Sequence, residues 1–177
     1  MSDLLFNEVP VGDKPFYKFG DWKLYAVHDE TNIKGFFGNF RWLSNFHACT
    51  VYFDGLLYPS SENAYQAAKL PPDYRSHLQQ CTPEKVKKEW KKYPLLDDSP
   101  EEWDARKYDV MSVVCFDKFY RNKDIRQKLL DTGDKFLEEK NHWKDLTWGV
   151  DIKLGGTNWL GIILMDIRKF WKNKPLG

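Results

Sequence analysis

The sequence predicts an α+β fold: a mostly helical single domain carrying a small antiparallel β element. Three observations lead there. Capping signals open several long apolar-periodic stretches, Asp54-Gly55 lies between two short apolar runs, and no regular alternation of strands with helices runs along the chain. At 177 residues, 42% hydrophobic and 30% charged, the chain is large enough for a full core and too apolar to be disordered.

Taken in order, residues 1–24 read as an N-terminal arm, with Pro10, Gly12, Pro15 and Gly20 as breakers, and residues 25–177 read as the catalytic domain. Lys23 to Val27 is a short strand candidate. Val51 to Tyr58 reads as a hairpin, because Asp-Gly supplies the two left-handed positions of a tight turn. It leads into a helix over Pro59 to Lys69 that Ser60 or Ser61 can cap. Thr82-Pro83 opens a basic helix, Glu84 to Lys92. Its Lys85, Lys87, Lys88, Lys91 and Lys92 read as a solvated face or as phosphate contacts. Ser99-Pro100-Glu101-Glu102 is a capping box with proline at the first helical position, and its helix runs to about Tyr120, burying Trp103, Val110 and Val114. A helix over Asp124 to Leu130 stops near Gly133, and Phe136 to Glu138 suits a strand. Gly155-Gly156 then leads into Asn158–Phe170, apolar on nearly every side and expected as a buried core helix.

Chemistry concentrates on the helix after the hairpin. Glu62, Gln66 and Lys69 are spaced four and three apart and share one face, while Ala64, Ala67 and Ala68 form a small apolar face for close packing. Side chains on a helix lean toward its N-terminus, so Lys69 reaches back toward Glu62. Each residue also has a plain structural use. Glu62 suits the positive end of the helix dipole, and Lys69 suits the negative end just before Leu70-Pro71-Pro72.

Composition narrows the partners. With 27 basic and 26 acidic side chains there is no global drive toward nucleic acid or anionic membrane, so nucleic-acid contact needs a local patch. Aromatics reach 16%, more than packing requires, so some rings are expected to line a pocket. Cys49, Cys81 and Cys115 are odd in number and unpaired in spacing, and the four histidines are scattered, so neither a disulfide framework nor a metal site is expected. No secretory signal opens the chain and no apolar run approaches about 18 residues, so a cytoplasmic or other reducing compartment is expected, with no membrane partner.

The motifs also fall in a recognisable order. Leu43-Ser44-Asn45-Phe46 precedes the hairpin, followed by Tyr58-Pro59-Ser60-Ser61-Glu62, Tyr65-Gln66 and Lys69. After these come Glu102-Trp103, Asp109-Val110-Met111, Lys118-Phe119, Asp145-x-x-Trp148-Gly149 and Gly156-x-Asn158-x-Leu160-Gly161. This order resembles the NADAR family across roughly residues 36–171. The resemblance implies an N-glycoside hydrolase that cuts between a ribose anomeric carbon and a nitrogen, without cofactor or metal. One branch of the family acts on phosphoribosylated early intermediates of riboflavin synthesis. Another removes ADP-ribose from guanine in nucleic acid, and that is the preferred expectation for this chain. By position, Glu62 matches the essential carboxylate and Lys69 the lysine of the same helix, while Trp103, Asp145 and Trp148 match other pocket residues. Asn45 and Asn158 lie in matching motifs as binding or structural residues.

Two departures stand out. The family often has His where this chain has Asn63, and an Arg shortly before the tryptophan, where this chain has Ser99-Pro100. If that Arg grips a phosphate, Arg106 or Lys107 is the expected replacement.

On chemistry, Glu62 is the expected acid and base, which calls for burial beside aromatic rings. Lys69 is either a Schiff-base nucleophile, which needs a dry or locally positive pocket, or a charged phosphate ligand. Asp145 orients a water, holds ribose hydroxyls, or simply closes a turn. Trp103 and Trp148 stack on a base or serve the core, and Gly156 helps cradle a phosphate or belongs to an ordinary tight turn. Two other classes compete with the hydrolase: a non-catalytic ADP-ribose-binding module and a purely structural domain. The oligomeric state is left open by the sequence.

Overall fold

The computed structural model describes residues 8–11, 14–19, 22–25, 27–96 and 99–174, with side chains from His28 onward. Residues 1–7, Gly12 and Gly20 of the expected arm lie outside the described residues. The chain opens with three strands, β1 (Glu8–Val11), β2 (Lys14–Phe19) and β3 (Trp22–Tyr25), and continues with β4 (Val27–His28) and β5 (Asn32–Lys34). The hairpin strands β6 (Val51–Phe53) and β7 (Leu56–Tyr58) lead into α1 (Ser61–Ala67). Then come α2 (Pro72–Arg75), α3 (Pro83–Glu89), α4 (Pro100–Arg121) and α5 (Lys123–Asp131). The short strands β8 (Phe136–Glu138), β9 (Lys140–Asn141) and β10 (Val150–Asp151) precede the last helix, α6 (Trp159–Lys172). The class is α+β, as the sequence predicts.

The chain divides into two compact units, Met1–Ser44 with Leu129–Gly177, and Asn45–Lys128. In the first, β1, β2 and β3 form an antiparallel meander, in register at Glu8 with Tyr17 and at Phe16 with Tyr25. Here β5 pairs antiparallel with β4 and parallel with β8, placing Asn32 opposite Phe136 and Lys34 opposite Glu138. A second parallel pair joins β9 and β10. The β element is therefore mixed rather than purely antiparallel. Helix α6 packs on β8. It corrects the expectation of a helix buried on all sides: Leu160, Ile163, Leu164 and Ile167 form one buried stripe, while Trp159, Ile162 and Phe170 are exposed. The stripe has helical spacing, and the apolar residues between its members simply face out.

The second unit is built around α1. The hairpin turn has Asp54 at φ 46° and Gly55 at φ 85°, the two left-handed positions a two-residue turn demands. Its edge is tied to α4 by Asp117, which accepts the Tyr52 N–H at 2.6 Å. Ser60 is the N-cap of α1, its hydroxyl oxygen accepting the Asn63 N–H at 3.1 Å. Every residue of α1 is buried, with α3, α4 and the hairpin packed around it. A seven-residue helix is marginal in isolation, so packing holds it.

The ends of α1 show how. Asn63 is fully buried, and its amide donates to the carbonyls of Leu78 (2.9 Å) and Cys81 (2.8 Å). The carbonyls beyond the helix end are capped by side chains and backbone: Arg106 donates to Ala68, Arg75 to Leu70, and the Leu96 N–H to Lys69. Arg75 is also ion-paired with Asp54 of the hairpin turn. The backbone that carries Lys69 is thus fixed at three successive residues.

Candidate active site

Five of the sequence-predicted site residues, Asn45, Glu62, Gln66, Lys69 and Trp103, belong to the unit built around α1. Glu62 is 5% exposed and Gln66 6% exposed. One turn apart, they meet as the spacing requires: Gln66 Nε2 donates to Glu62 Oε1 at 2.8 Å. The Gln66 side-chain amide oxygen is buried with no hydrogen-bond partner, an acceptor left open beside a carboxylate. Asn45 serves from behind. Its carbonyl accepts the Glu62 N–H at 3.0 Å, and its buried side chain lies against Met111 Sδ (3.2 Å) and Cys115 Sγ (3.5 Å). Those contacts make Asn45 a support of the Glu62 turn.

Lys69 is half-buried inside aromatic walls. Its Nζ lies 4.4 Å from the centroid of the Trp90 ring, 5.3 Å from Tyr65 and 5.4 Å from Trp103. Tyr65 and Trp103 are themselves 5.3 Å apart with rings tilted by 59°. Burial pulls the Lys69 ammonium from its ordinary 10.5 down to about 8. The Glu62 carboxylate opposes that shift, and the Lys87 and Lys91 ammonium groups add to it. Burial is thus the main cause of the shift, with the carboxylate and the two ammonium groups acting in opposite directions on the amine.

Trp103 is half-buried rather than part of the core, because its ring stands between Tyr65, Lys69 and the Arg106 guanidinium, 4.7 Å from its centroid. Arg106 is committed to the Ala68 carbonyl, and Lys107 is ion-paired with Asp104 at 2.6 Å. The structure sorts the basic run instead. Lys87 and Lys91 are exposed and act on Lys69, whereas Lys92 is ion-paired with Glu89 at 2.8 Å.

Asp145, Trp148, Gly156 and Asn158 belong to the other unit. Asp145 Oδ1 accepts the N–H groups of Thr147 (3.1 Å) and Trp148 (2.9 Å), closing a tight turn. Trp148 is half-buried. A Cβ at Gly156 would run into the Gly149 carbonyl, so this glycine permits a close backbone crossing. Asn158, left-handed at φ 54°, bonds the Leu137 carbonyl at 2.9 Å and the Glu139 N–H at 3.0 Å. Among the described residues, no group of three His, Cys, Asp or Glu side chains is placed to hold a metal ion, and no helix is long and apolar enough to cross a membrane.

Sequence reasoning missed Trp90 entirely and left Tyr65 without a role. Tyr65 was within reach, being four residues before Lys69 in the stretch expected as one helix, although α1 itself ends at Ala67, short of Lys69. Trp90 is 21 residues further on, and no local pattern marks it.

Comparison with known proteins decides the family. The NADAR domain matches residues 27–171. The chain belongs to the NADAR family. It is 31% identical over 130 residues to the N-glycosidase YbiA of Escherichia coli, covering 71% of this chain and 78% of that protein. The NMR structure of E. coli YbiA superposes with a TM-score of 0.69 at 27% identity, over 83% of this chain and 88% of that one. A protein named for riboflavin biosynthesis in Vibrio vulnificus is 33% identical over 137 residues, covering 74% of this chain. The NADAR chain spans about a third (35%) of the length of that relative.

Proposed function

We propose that this NADAR protein is an N-glycosidase that hydrolyses a ribose–nitrogen bond, with Lys69 as nucleophile and Glu62 as acid and base. The observation that carries the reading is the Lys69 amine, drawn down to about 8 inside three rings and seven residues on from the buried Glu62 carboxylate. At pH 7 such an amine is neutral about 9% of the time, against about 0.03% for an ordinary lysine.

In its ring-opened form the substrate's anomeric carbon is an imine equivalent. The neutral Lys69 nitrogen adds to that carbon, and the carbon–nitrogen bond to the base breaks as Glu62 supplies a proton to the departing nitrogen. The protonated Schiff base left on Lys69 is then attacked by water, with Glu62 now accepting the proton. Collapse returns the amine and releases the free sugar. Gln66 holds one Glu62 oxygen and so fixes the carboxylate, while its own open side-chain amide oxygen suits a ribose hydroxyl. No step calls for a metal.

The preferred substrate is ADP-ribose attached to guanine, in DNA or as a nucleotide. The exposed Lys87 and Lys91 beside the amine support a substrate bearing phosphates. A second reading, a phosphoribosylated intermediate of riboflavin synthesis, is favoured by the name of the Vibrio relative.

One experiment separates them. The protein is incubated with a guanine-ADP-ribosylated oligonucleotide and, in parallel, with a riboflavin-pathway ribosylamine phosphate, with and without chelator, and products are weighed by mass spectrometry. Loss of the ADP-ribose mass is expected, unaffected by chelator. Borohydride added during turnover is expected to fix a sugar on Lys69 and on no residue of Lys69→Ala. Cleavage of the ribosylamine alone would move the assignment to the second reading. Binding of ADP-ribose with no cleavage of either compound would make the domain a reader and overturn the hydrolase.

A further inference from the structure

We infer that Trp90 is a positioning residue for the reactive amine: its indole is the third wall of a cage, completed by Tyr65 and Trp103, that holds the Lys69 side chain and keeps water from its nitrogen. The inference rests on the reading of Lys69 as the nucleophile, but its geometry stands independently.

The three walls come from three different elements. Tyr65 belongs to α1 and Trp103 to the first turns of α4. Trp90 opens the 3-10 turn Trp90–Lys92 that ends α3, with its N–H bonded back to the Val86 and Lys88 carbonyls and its own carbonyl taking the Tyr93 N–H at 3.2 Å. Val86, fully buried, roots α3 in the unit. The nearest of the three rings to the nitrogen is therefore set by an element with no part in the Glu62–Gln66 pair.

A caged amine differs from a merely buried one. Ring faces attract the ammonium, which fixes where the flexible side chain rests. They offer no lone pair of carbonyl strength, so they replace water poorly as acceptors, and the neutral form gains. The charged groups acting on the amine are Glu62 from α1, Lys87 from α3 and Lys91 from the turn that follows it. Trp90 lies among them, also 5.8 Å below the Lys91 ammonium. Removing the indole opens the amine to water on the side where Lys91 stands.

The test uses the full chain with Trp90→Leu, Trp90→Phe and Trp90→Ala. Lysines are reductively methylated with carbon-13 and followed by NMR through pH 6–11, the Lys69 signal being assigned by its absence in Lys69→Arg. In wild type that signal is expected upfield of the other lysines, shifted by the ring faces, and titrating well below them. Trp90→Leu is expected to lose most of the upfield shift, and Trp90→Ala to titrate closer to the other lysines. In parallel, borohydride trapping of unmethylated protein with a ribosylamine at pH 7 is expected to fall at least tenfold in Trp90→Ala and to be partly rescued in Trp90→Phe. A Lys69 signal without ring shift in wild type, or one unchanged in Trp90→Leu, overturns the inference. If the shifts behave as expected while no adduct forms on any substrate, the cage stands and the catalytic reading of Lys69 is what has failed.

Discussion

Replacing Lys69 with methionine should make the protein more stable at neutral pH, and the gain should disappear in alkali. The fall of the Lys69 group from 10.5 to about 8, at about 1.4 kcal/mol per tenfold change, amounts to about 3 kcal/mol. Partial exposure screens the amine, which brings the expectation to about 2 kcal/mol. The sign follows from proton counting. Below pH 8 folded and unfolded chains both carry the proton, and the folded state bears the whole cost of burying it. Between pH 8 and 10.5 the folded state releases the proton first, so wild type is relieved as pH rises. A methionine in a three-ring cage carries no charge and makes good sulfur–aromatic contacts. For a chain of this size about 2 kcal/mol is about 4–8 °C in Tm. The assay is thermal unfolding of wild type and Lys69→Met at half-unit steps from pH 6 to 10.5. The variant should melt higher at pH 6–7.5, and the difference should close by pH 10.5. A variant that melts no higher at pH 7, with a difference independent of pH, would refute the claim that the amine is held at a cost.

Three further outcomes follow from the same geometry. Glu62→Gln should lower turnover by at least about a hundredfold, the low end of a general acid–base contribution, while ADP-ribose binding measured by calorimetry is kept; full turnover would remove Glu62 from the mechanism. Asp145→Asn keeps an oxygen for the Thr147 and Trp148 N–H groups, so the melting temperature should hold; a clear fall would show that the turn needs the charge and not only an acceptor. Asn63→Ala strips donors from the Leu78 and Cys81 carbonyls and should cost about 2–3 kcal/mol in denaturant unfolding; a loss under about 0.5 kcal/mol would mean those carbonyls find other partners.

Much of this fold is legible locally. Asp54-Gly55 dictates the hairpin, the capping box at Ser99 starts α4, and Ser60 caps α1, because each signal needs no information beyond a few residues. What is not legible is non-local. The parallel pairing of β5 with β8 joins three-residue strands a hundred residues apart, neither of which has a strong alternation. The strands over residues 8–19 are hidden by Pro10 and Pro15, which sit opposite one another in the β1–β2 register, whereas β3 overlaps the strand expected from Lys23 to Val27. The dense apolar run in α6 conceals a one-sided helix, since composition counts Ile162 and Phe170 with the core although both are exposed. In the site, Glu62, Gln66 and Lys69 are readable because helical periodicity places them on one face. The Asn63 departure also resolves physically: its amide satisfies two backbone carbonyls, so this position serves the fold. Trp90 was unreadable because its neighbour in space is not its neighbour on any helix face.

Lys87 on α3 and Lys91 on the turn after it both disfavour the Lys69 ammonium. In the proposed reaction they are also the groups that would meet a substrate phosphate. A bound phosphate, however, would cancel the lysines' effect on the amine and push its proton affinity back up. A nucleophile kept neutral by lysines would then be disarmed by its own substrate. Burial, however, is the largest cause, and burial does not weaken when an anion arrives; a substrate that seals the pocket strengthens it. In the proposed reaction the labour therefore divides: the rings of Tyr65, Trp90 and Trp103 would prepare the amine, and the lysines would receive the substrate's charge.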